Sequence, residues 1–344
     1  MNGRVARWLT AAVVSVGVAA PAQGQPHDGT AKAGVRVDER VAAAQRSRES
    51  RQEQVVRSTH TLKLGTSGQL ELRNVSGDIT IKAGGTDVVT VEVVKRGYGA
   101  TAAEATRQLE LLTVEVTERA GRGEVRARYR EGERNYRSSA DYVVTAPEGT
   151  RVLAHSVSGN VQATGITGEI DVNSVSGDIR LEQAGRVARA KTISGTVEIV
   201  GYQTDGTLEA SSVSGDVQVA DGRARRVELT SVSGDIEVTD VTCEAADIRT
   251  TSGSIRFVGV LQRGGRYTLR AHSGDVRISV PEAPGFEIDA STFSGSIESE
   301  LPLTIGGERG GRRTRRALHA VYGDGAASLD VTSFSGSIII IRKR

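Results

Sequence analysis

Apolar residues along this chain alternate with polar ones over short runs, and the alternation changes phase at regular intervals. Val227 and Leu229 share one parity, and Val232, Ile236 and Val238 share the other. The same change separates Leu208/Ala210 from Val213/Val217, Ile170/Val172 from Val175/Ile179, and Leu329/Val331 from Phe334/Ile338. Period-two alternation marks a strand with one buried face. A phase change inside it predicts a bend that keeps both arms facing one interior. The sequence places that bend between Ser231 and Val232 and at the matching positions, with Val232 and its equivalents, His272 among them, pointing inward.

Each bend carries one phrase. It reads Val75-Ser76-Gly77-Asp78-Ile79 at its first occurrence and Phe334-Ser335-Gly336-Ser337-Ile338 at its last. Its glycines are Gly77, Gly159, Gly177, Gly195, Gly215, Gly234, Gly253, Gly274, Gly295 and Gly336. From Gly159 to Gly295 the steps are 18, 18, 20, 19, 19, 21 and 21, and the last step, to Gly336, is 41. A near-constant period of this length is the signature of a solenoid. The expected fold is all-β, a parallel β-helix-like solenoid of about 20 residues per turn over 151–344, its turns stacked in sequence order. Burying a handful of Val, Ile and Leu side chains does not offset the entropy of ordering one such turn, so turns must stack to fold. A small residue precedes each bend: Asn74, Ser156, Ser174, Thr192, Ser212, Ser231, Thr250, Ala271, Thr292 or Ser333. Its hydroxyl or amide suits the backbone groups of a tight corner. The glycine then relieves crowding or supplies a backbone angle that Cβ forbids.

The stretch 62–150 departs from this rhythm. Val88 to Lys95 alternates as a strand, Ala102 to Leu112 is rich in helix formers, and Gly121-Arg122-Gly123 reads as a turn between strands 112–118 and 124–129. With a further strand at 141–145, this region is expected to be a small α+β cap holding the first β repeat. Before it, 23–60 is polar and expected to be a disordered linker, helical in part between Asp38 and Val56. Arg4 and Arg7, the apolar run Trp8 to Ala20 and Ala20-Pro21-Ala22 give 1–22 the form of a secretory signal peptide. No later run is long enough to span a membrane as a helix. At the other end, Arg342-Lys343-Arg344 is expected to tip the stack with charges that discourage end-to-end pairing.

Composition sharpens the picture in a few places. Aromatics make up 3% and there are 41 glycines, which suits a thin aliphatic interior. The formal net charge of +2 offers no basic field for nucleic acid. Cys243 is the single cysteine, so no internal disulfide forms, and it reads as a small buried apolar residue. The five histidines lack metal-ligand spacing. The Asp row (Asp78, Asp178, Asp216, Asp235, Asp275) is broken by Thr196, Ser254, Ser296 and Ser337, and fits turn chemistry beside glycine better than a calcium site. No cofactor or metal is expected, and the acids follow the repeat rather than gathering as a catalytic pair. The local binding candidate is the arginine-rich excursion 306–317, with Arg309, Arg312, Arg313, Arg315 and Arg316 in a loop loosened by two glycine pairs, suited to an anionic envelope glycan, lipid headgroups or a teichoic-type polymer, and otherwise a solvated loop that protects solubility.

Ten such phrases in phase, the signal-like N-terminus and the run Tyr142 to Thr150 together resemble the bacterial "putative adhesin" domain family of β-strand-repeat proteins, a domain of unknown function. The resemblance covers about 62–344 and implies a β-helix-like fold at the cell surface or in the periplasm, with no catalytic motif to carry over. The expected role is a non-catalytic envelope or adhesion module. The alternatives are an assembly module that binds an envelope protein, and a polysaccharide-active β-helix enzyme.

Overall fold

The computed structural model describes residues 52–85, 87–132, 136–281, 284–305 and 316–343. The expected signal segment and most of the polar linker lie outside these residues, as do Arg309, Arg312, Arg313 and Arg315. Strands β1 (Gln52–Leu62), β2 (Gln69–Ser76), β3 (Ile79–Ala83) and β4 (Val89–Gly99) lead to one helix, α1 (Ala102–Glu110). Then come β5 (Leu112–Arg119), β6 (Arg122–Tyr129) and β7 (Ser138–Ala146). The repeats supply β8 (Arg151–Ser158), β9 (Val161–Thr164), β10 (Glu169–Ser176), β11 (Ile179–Ala184), β12 (Arg186–Ser194), β13 (Val197–Gln203) and β14 (Thr207–Ser214). They continue through β15 (Val217–Ser233), β16 (Ile236–Ser252), β17 (Ile255–Val258), β18 (Arg266–Ser273), β19 (Val276–Val280), β20 (Phe286–Ser294) and β21 (Ile297–Ser299). The chain ends with β22 (Ala317–Tyr322), β23 (Ala327–Ser335) and β24 (Ile338–Arg342).

These strands form a β-solenoid with two parallel ladders. Strands before each Ser-Gly turn stack as β6–β2–β8–β10–β12–β14–β15–β16–β18–β23–β20. Strands after it stack as β7–β3–β9–β11–β13–β15–β16–β17–β19–β24–β21. Inward positions of both ladders meet in one aliphatic core running the length of the stack. Leu208, Leu229, Ile248 and Leu269 fill it from one ladder and Val217, Ile236, Ile255 and Val276 from the other, all at most 1% exposed. Aromatics enlarge it locally: Tyr202 lies against Gly222, where a Cβ would meet the ring at 2.0 Å. The hydroxyl of Tyr267 donates to the Cys243 carbonyl at 2.7 Å.

The turns do not stack in sequence order. The pair β23/β24 is inserted between β18/β19 and β20/β21, so the Gly336 turn lies on the Gly274 turn and the Gly295 turn lies on that of Gly336. The chain reaches this place through β22, which runs antiparallel along β20 and covers that end of its ladder. Arg342 and Lys343 therefore do not tip the stack. The Lys343 ammonium pairs instead with Asp240 on an earlier coil.

The opposite end is the α+β cap. Antiparallel β1 and β4 extend the second ladder beyond β7, and β5 extends the first beyond β6. Thr101 caps α1, its hydroxyl accepting from the Glu104 N–H at 3.2 Å, and the helix buries Ala105 and Leu109. Gly97 and Gly99 let it approach β4 closely; a Cβ on Gly97 would lie 2.3 Å from the Ala105 carbonyl oxygen.

One expectation fails here. Residues 52–60 are neither disordered linker nor helix but most of β1, an edge strand paired along its full length with β4. Only Leu62 at its end is buried. Both faces otherwise meet water, so the strand carries no alternation to read.

Candidate binding surface

The recurring turn is the one element present at every level of the stack. The small residue before the bend is buried, and at most levels its side chain reaches down one level; Ser156 instead donates to the Gly159 carbonyl of its own turn at 3.4 Å, and Ser174 Oγ has no hydrogen-bond partner. Ser212 donates to the Gly195 carbonyl at 2.9 Å, Ser231 to Gly215 at 3.1 Å, Thr250 to Gly234 at 3.1 Å, Ser333 to Gly274 at 3.0 Å and Thr292 to Gly336 at 2.8 Å. Asn74 does the same with its amide, to the Ala140 carbonyl at 2.8 Å. The glycine N–H donates to the serine carbonyl of the next level, as from Gly215 to Ser233 at 2.9 Å.

All ten turn glycines have positive φ, from 114° to 159°. A Cβ on any of them would lie between 2.0 and 2.3 Å from a backbone oxygen of the adjacent level, the turn glycine in nine cases and Ala140 of β7 for Gly77. Absence of a side chain is thus what allows turns to lie at ladder spacing, about 4.8 Å.

The acid row is structural as well. Asp216 Oδ1 accepts the Asp235 N–H at 2.8 Å, and Asp235 Oδ1 accepts the Ser254 N–H at 2.7 Å. Asp78, Asn160, Asp178 and Asp275 hold the N–H of Asn160, Asp178, Thr196 and Ser337 in the same way. Each carboxylate is aimed at the neighbouring backbone, not at a shared central point. Among the described residues, no group of three or more His, Cys, Asp or Glu side chains could hold a metal ion. Beside this row lies a shallow depression of ≈ 460 Å³ lined by Asn160, Asp178, Arg180, Thr196, Glu198 and Gln218.

The apolar residue of the phrase does not point inward. The bend occupies the stretch from Val232 to Asp235, so Ser231 is the last inward position of one arm and Ile236 the first of the next. Val232 is 43% exposed. Val157, Val175, Ile193 and Val213 are exposed alike, and His272 joins them on the outside. The last two members are Phe334 and Phe293, 48% and 64% exposed. Their rings stack at 4.8 Å, and Phe334 stacks in turn on His272 at 4.9 Å. The result is an outward apolar ridge along the corner, flanked by a row of serines. The sequence carried a signal for it: no tight core position accepts Val, Thr, His and Phe in turn.

Of the arginine candidates, Arg316 alone is described; it is exposed, and its carbonyl accepts the Thr292 N–H at 2.9 Å. Cys243 is 2% exposed, and burial pushes its thiol up to about 12. Tyr202, Phe257, Tyr267, Phe286 and Tyr322 are buried. No described helix is long and apolar enough to cross a membrane.

Comparison with the curated proteins finds no match. Among solved structures, a "putative adhesin" of Bacteroides fragilis is 16% identical, covering 83% of this chain and 97% of its own, at a TM-score of 0.37. A "putative lipid binding protein" of Parabacteroides distasonis is 14% identical, covering 83% and 96%, also at 0.37. A "putative cell adhesion protein" of Clostridium sporogenes is 9% identical, covering 85% and 100%, at 0.27. The sequence profile of one family matches residues 67–340, from within the cap to the last strand. The chain belongs to the Toastrack family, DUF4097.

Proposed function

We propose that this protein is an exported, non-catalytic scaffold of the bacterial cell envelope that holds a partner through many equivalent contacts. The supporting observation is the repetition itself. Ten turns repeat one outward pattern, level after level: an outward side chain that is apolar at eight levels and Thr251 or His272 at the other two, then a serine, then an Asp, Asn, Ser or Thr. Carboxylates tied to backbone N–H groups give a fixed polar surface rather than a proton-transfer pair. The residues 1–22 serve as the export signal, and 23–51 as a tether between the point of cleavage and the solenoid. The arginines of 306–317 act as an electrostatic anchor for an anionic envelope glycan.

A second reading is an assembly module that takes up a strand from another envelope protein. The eleven-residue edge strand β1, paired on one side by β4, favours it. Binding of the purified protein to envelope fractions and to a glycan array tests both. Glycan binding that falls at least tenfold on deletion of 306–317 supports the first. Capture of a defined envelope protein, lost when Val55 and Val56 are replaced by Pro, supports the second. Turnover of a polysaccharide that vanishes with one acid pair would contradict both.

A further inference from the structure

The outward ridge is the largest feature that the folding of this chain leaves unexplained. It runs through Val75, Val157, Val175, Ile193, Val213, Val232, Thr251, His272, Phe334 and Phe293, one residue per turn. Ten levels at ladder spacing make it roughly 45 Å long. Val, Ile and Phe gain nothing from a corner open to water, and exposed apolar side chains repeated level by level from Val157 to Val232, and again at Phe334 and Phe293, mark a contact site. The row of small serines beside it (Ser158, Ser176, Ser194, Ser214, Ser233, Ser252, Ser273, Ser335, Ser294) leaves the ridge standing clear.

Two properties select the occupant. The first is period. Side chains spaced at ladder distance over ten levels match, level by level, only a surface with the same rise, and another Ser-Gly corner has it. The second is charge. Two residues before the ridge lie the exposed bases Arg73, Lys191, Arg249 and Arg270, and three residues after it the acids Asp78, Asp178, Asp216, Asp235 and Asp275. A two-fold axis parallel to the stack sets the basic side of one copy against the acidic side of the other. Arg73 then meets the level of Asp78, and Arg270 the level of Asp275. Lys191 lies between the levels of Asp178 and Asp216, and Arg249 between those of Asp235 and Asp275. A two-fold axis across the stack would set base against base. Arg73, Arg249 and Arg270 already hold Glu71, Asp247 and Asp330 on their own face, but a guanidinium has five N–H donors and keeps some for a partner.

We infer that the ridge is a dimer interface on which a second copy of this chain packs corner to corner, side by side and in register, about a two-fold axis along the stack. Val232 then meets Val232 of the partner subunit and Phe334 meets Phe334 of the partner subunit. The contact is isologous, so it closes at two copies.

Sedimentation of the protein as its producing cell makes it tests the inference, with single-cysteine cross-linking. Cys243 is buried and does not compete. The expected result is twice the monomer mass, reduced to the monomer in the triple variant Val175→Lys, Val213→Lys, Val232→Lys, whose circular dichroism stays that of the folded chain. Oxidised Val157→Cys and Val232→Cys variants each form a disulfide-linked dimer, because an axis along the stack brings every level against itself. A monomer at all concentrations overturns the inference. So does cross-linking confined to the mid-stack variants Val213→Cys and Val232→Cys and absent from Val157→Cys, which reports the opposite orientation. A monomer that binds phosphatidylcholine vesicles, with binding lost in the triple variant, also overturns it and assigns the ridge to a lipid surface.

Discussion

Gly215 lies directly against Gly195, and a Cβ on Gly215 would stand 2.1 Å from the Gly195 carbonyl oxygen. Its φ of 146° is also one that L side chains rarely adopt. The two penalties have different origins, strain within one turn and collision between two, and Gly215→Ala incurs both. We expect a loss of about 3 kcal/mol or more, read from chemical denaturation. Gly206→Ala is the control. Its φ is ordinary and its Cβ would sit 3.5 Å from Thr204 Oγ1, so stability should change by less than about 1 kcal/mol.

The hydroxyl that reaches down one level from Ser212 and its equivalents gives a second test. Ser212→Ala removes the donor to the Gly195 carbonyl in a buried setting and should cost about 1 kcal/mol. At one level the small residue is Ala271, 4% exposed, where its neighbours have Thr250 and Ser333. Ala271→Ser adds a donor aimed at the Gly253 carbonyl and should raise the denaturation midpoint by the equivalent of about 0.5 kcal/mol.

Much of this architecture was legible in the sequence, and its misreadings have identifiable causes. The glycine steps gave the solenoid, and the run of helix formers from Ala102 gave α1. The phase of the corner was misjudged because the bend takes four residues, Val232 to Asp235, rather than one bond. Parity counting across it therefore put Val232 inside together with the small corner residue Ser231, when Ser231 is buried and Val232 faces out. The stacking order was hidden because a 41-residue step looks like two ordinary periods. In the structure it is an antiparallel β22 followed by a coil that wedges between two others. Strand β1 escaped notice because it is nearly all exposed, and a strand with two wet faces has no hydrophobic period. The arginine excursion lies mostly outside the described residues, so its role rests on the sequence.

Metal dependence separates a structural acid row from a calcium site. Asp216→Asn keeps an oxygen for the Asp235 N–H and should leave the melting temperature nearly unchanged, whereas Asp216→Ala should lower it, a loss of about 1 kcal/mol. Adding a chelator to the wild-type protein should shift the melting temperature by less than a degree. A drop of several degrees would make the row a cation site.

Cys243 should behave as core. Its thiol, pushed up to about 12 by burial, holds almost no thiolate at pH 8. A disulfide reagent such as dithionitrobenzoate should therefore modify it at the rate of unfolding, and at once in denaturant. Prompt reaction of the folded protein would show that the solenoid opens around Cys243.

The account depends above all on which coil lies on which. Ser273 and Ser335 are ladder partners, as are Ser335 and Ser294, which puts Ser273 and Ser294 two levels apart with the level of Ser335 between them. Disulfide trapping in paired variants, in a Cys243→Ala background, reads this directly. The account predicts that Ser273→Cys with Ser335→Cys closes an intramolecular bond in the folded chain, and that Ser273→Cys with Ser294→Cys does not. The reverse pattern would mean that the coils stack in sequence order, and would contradict the fold described above.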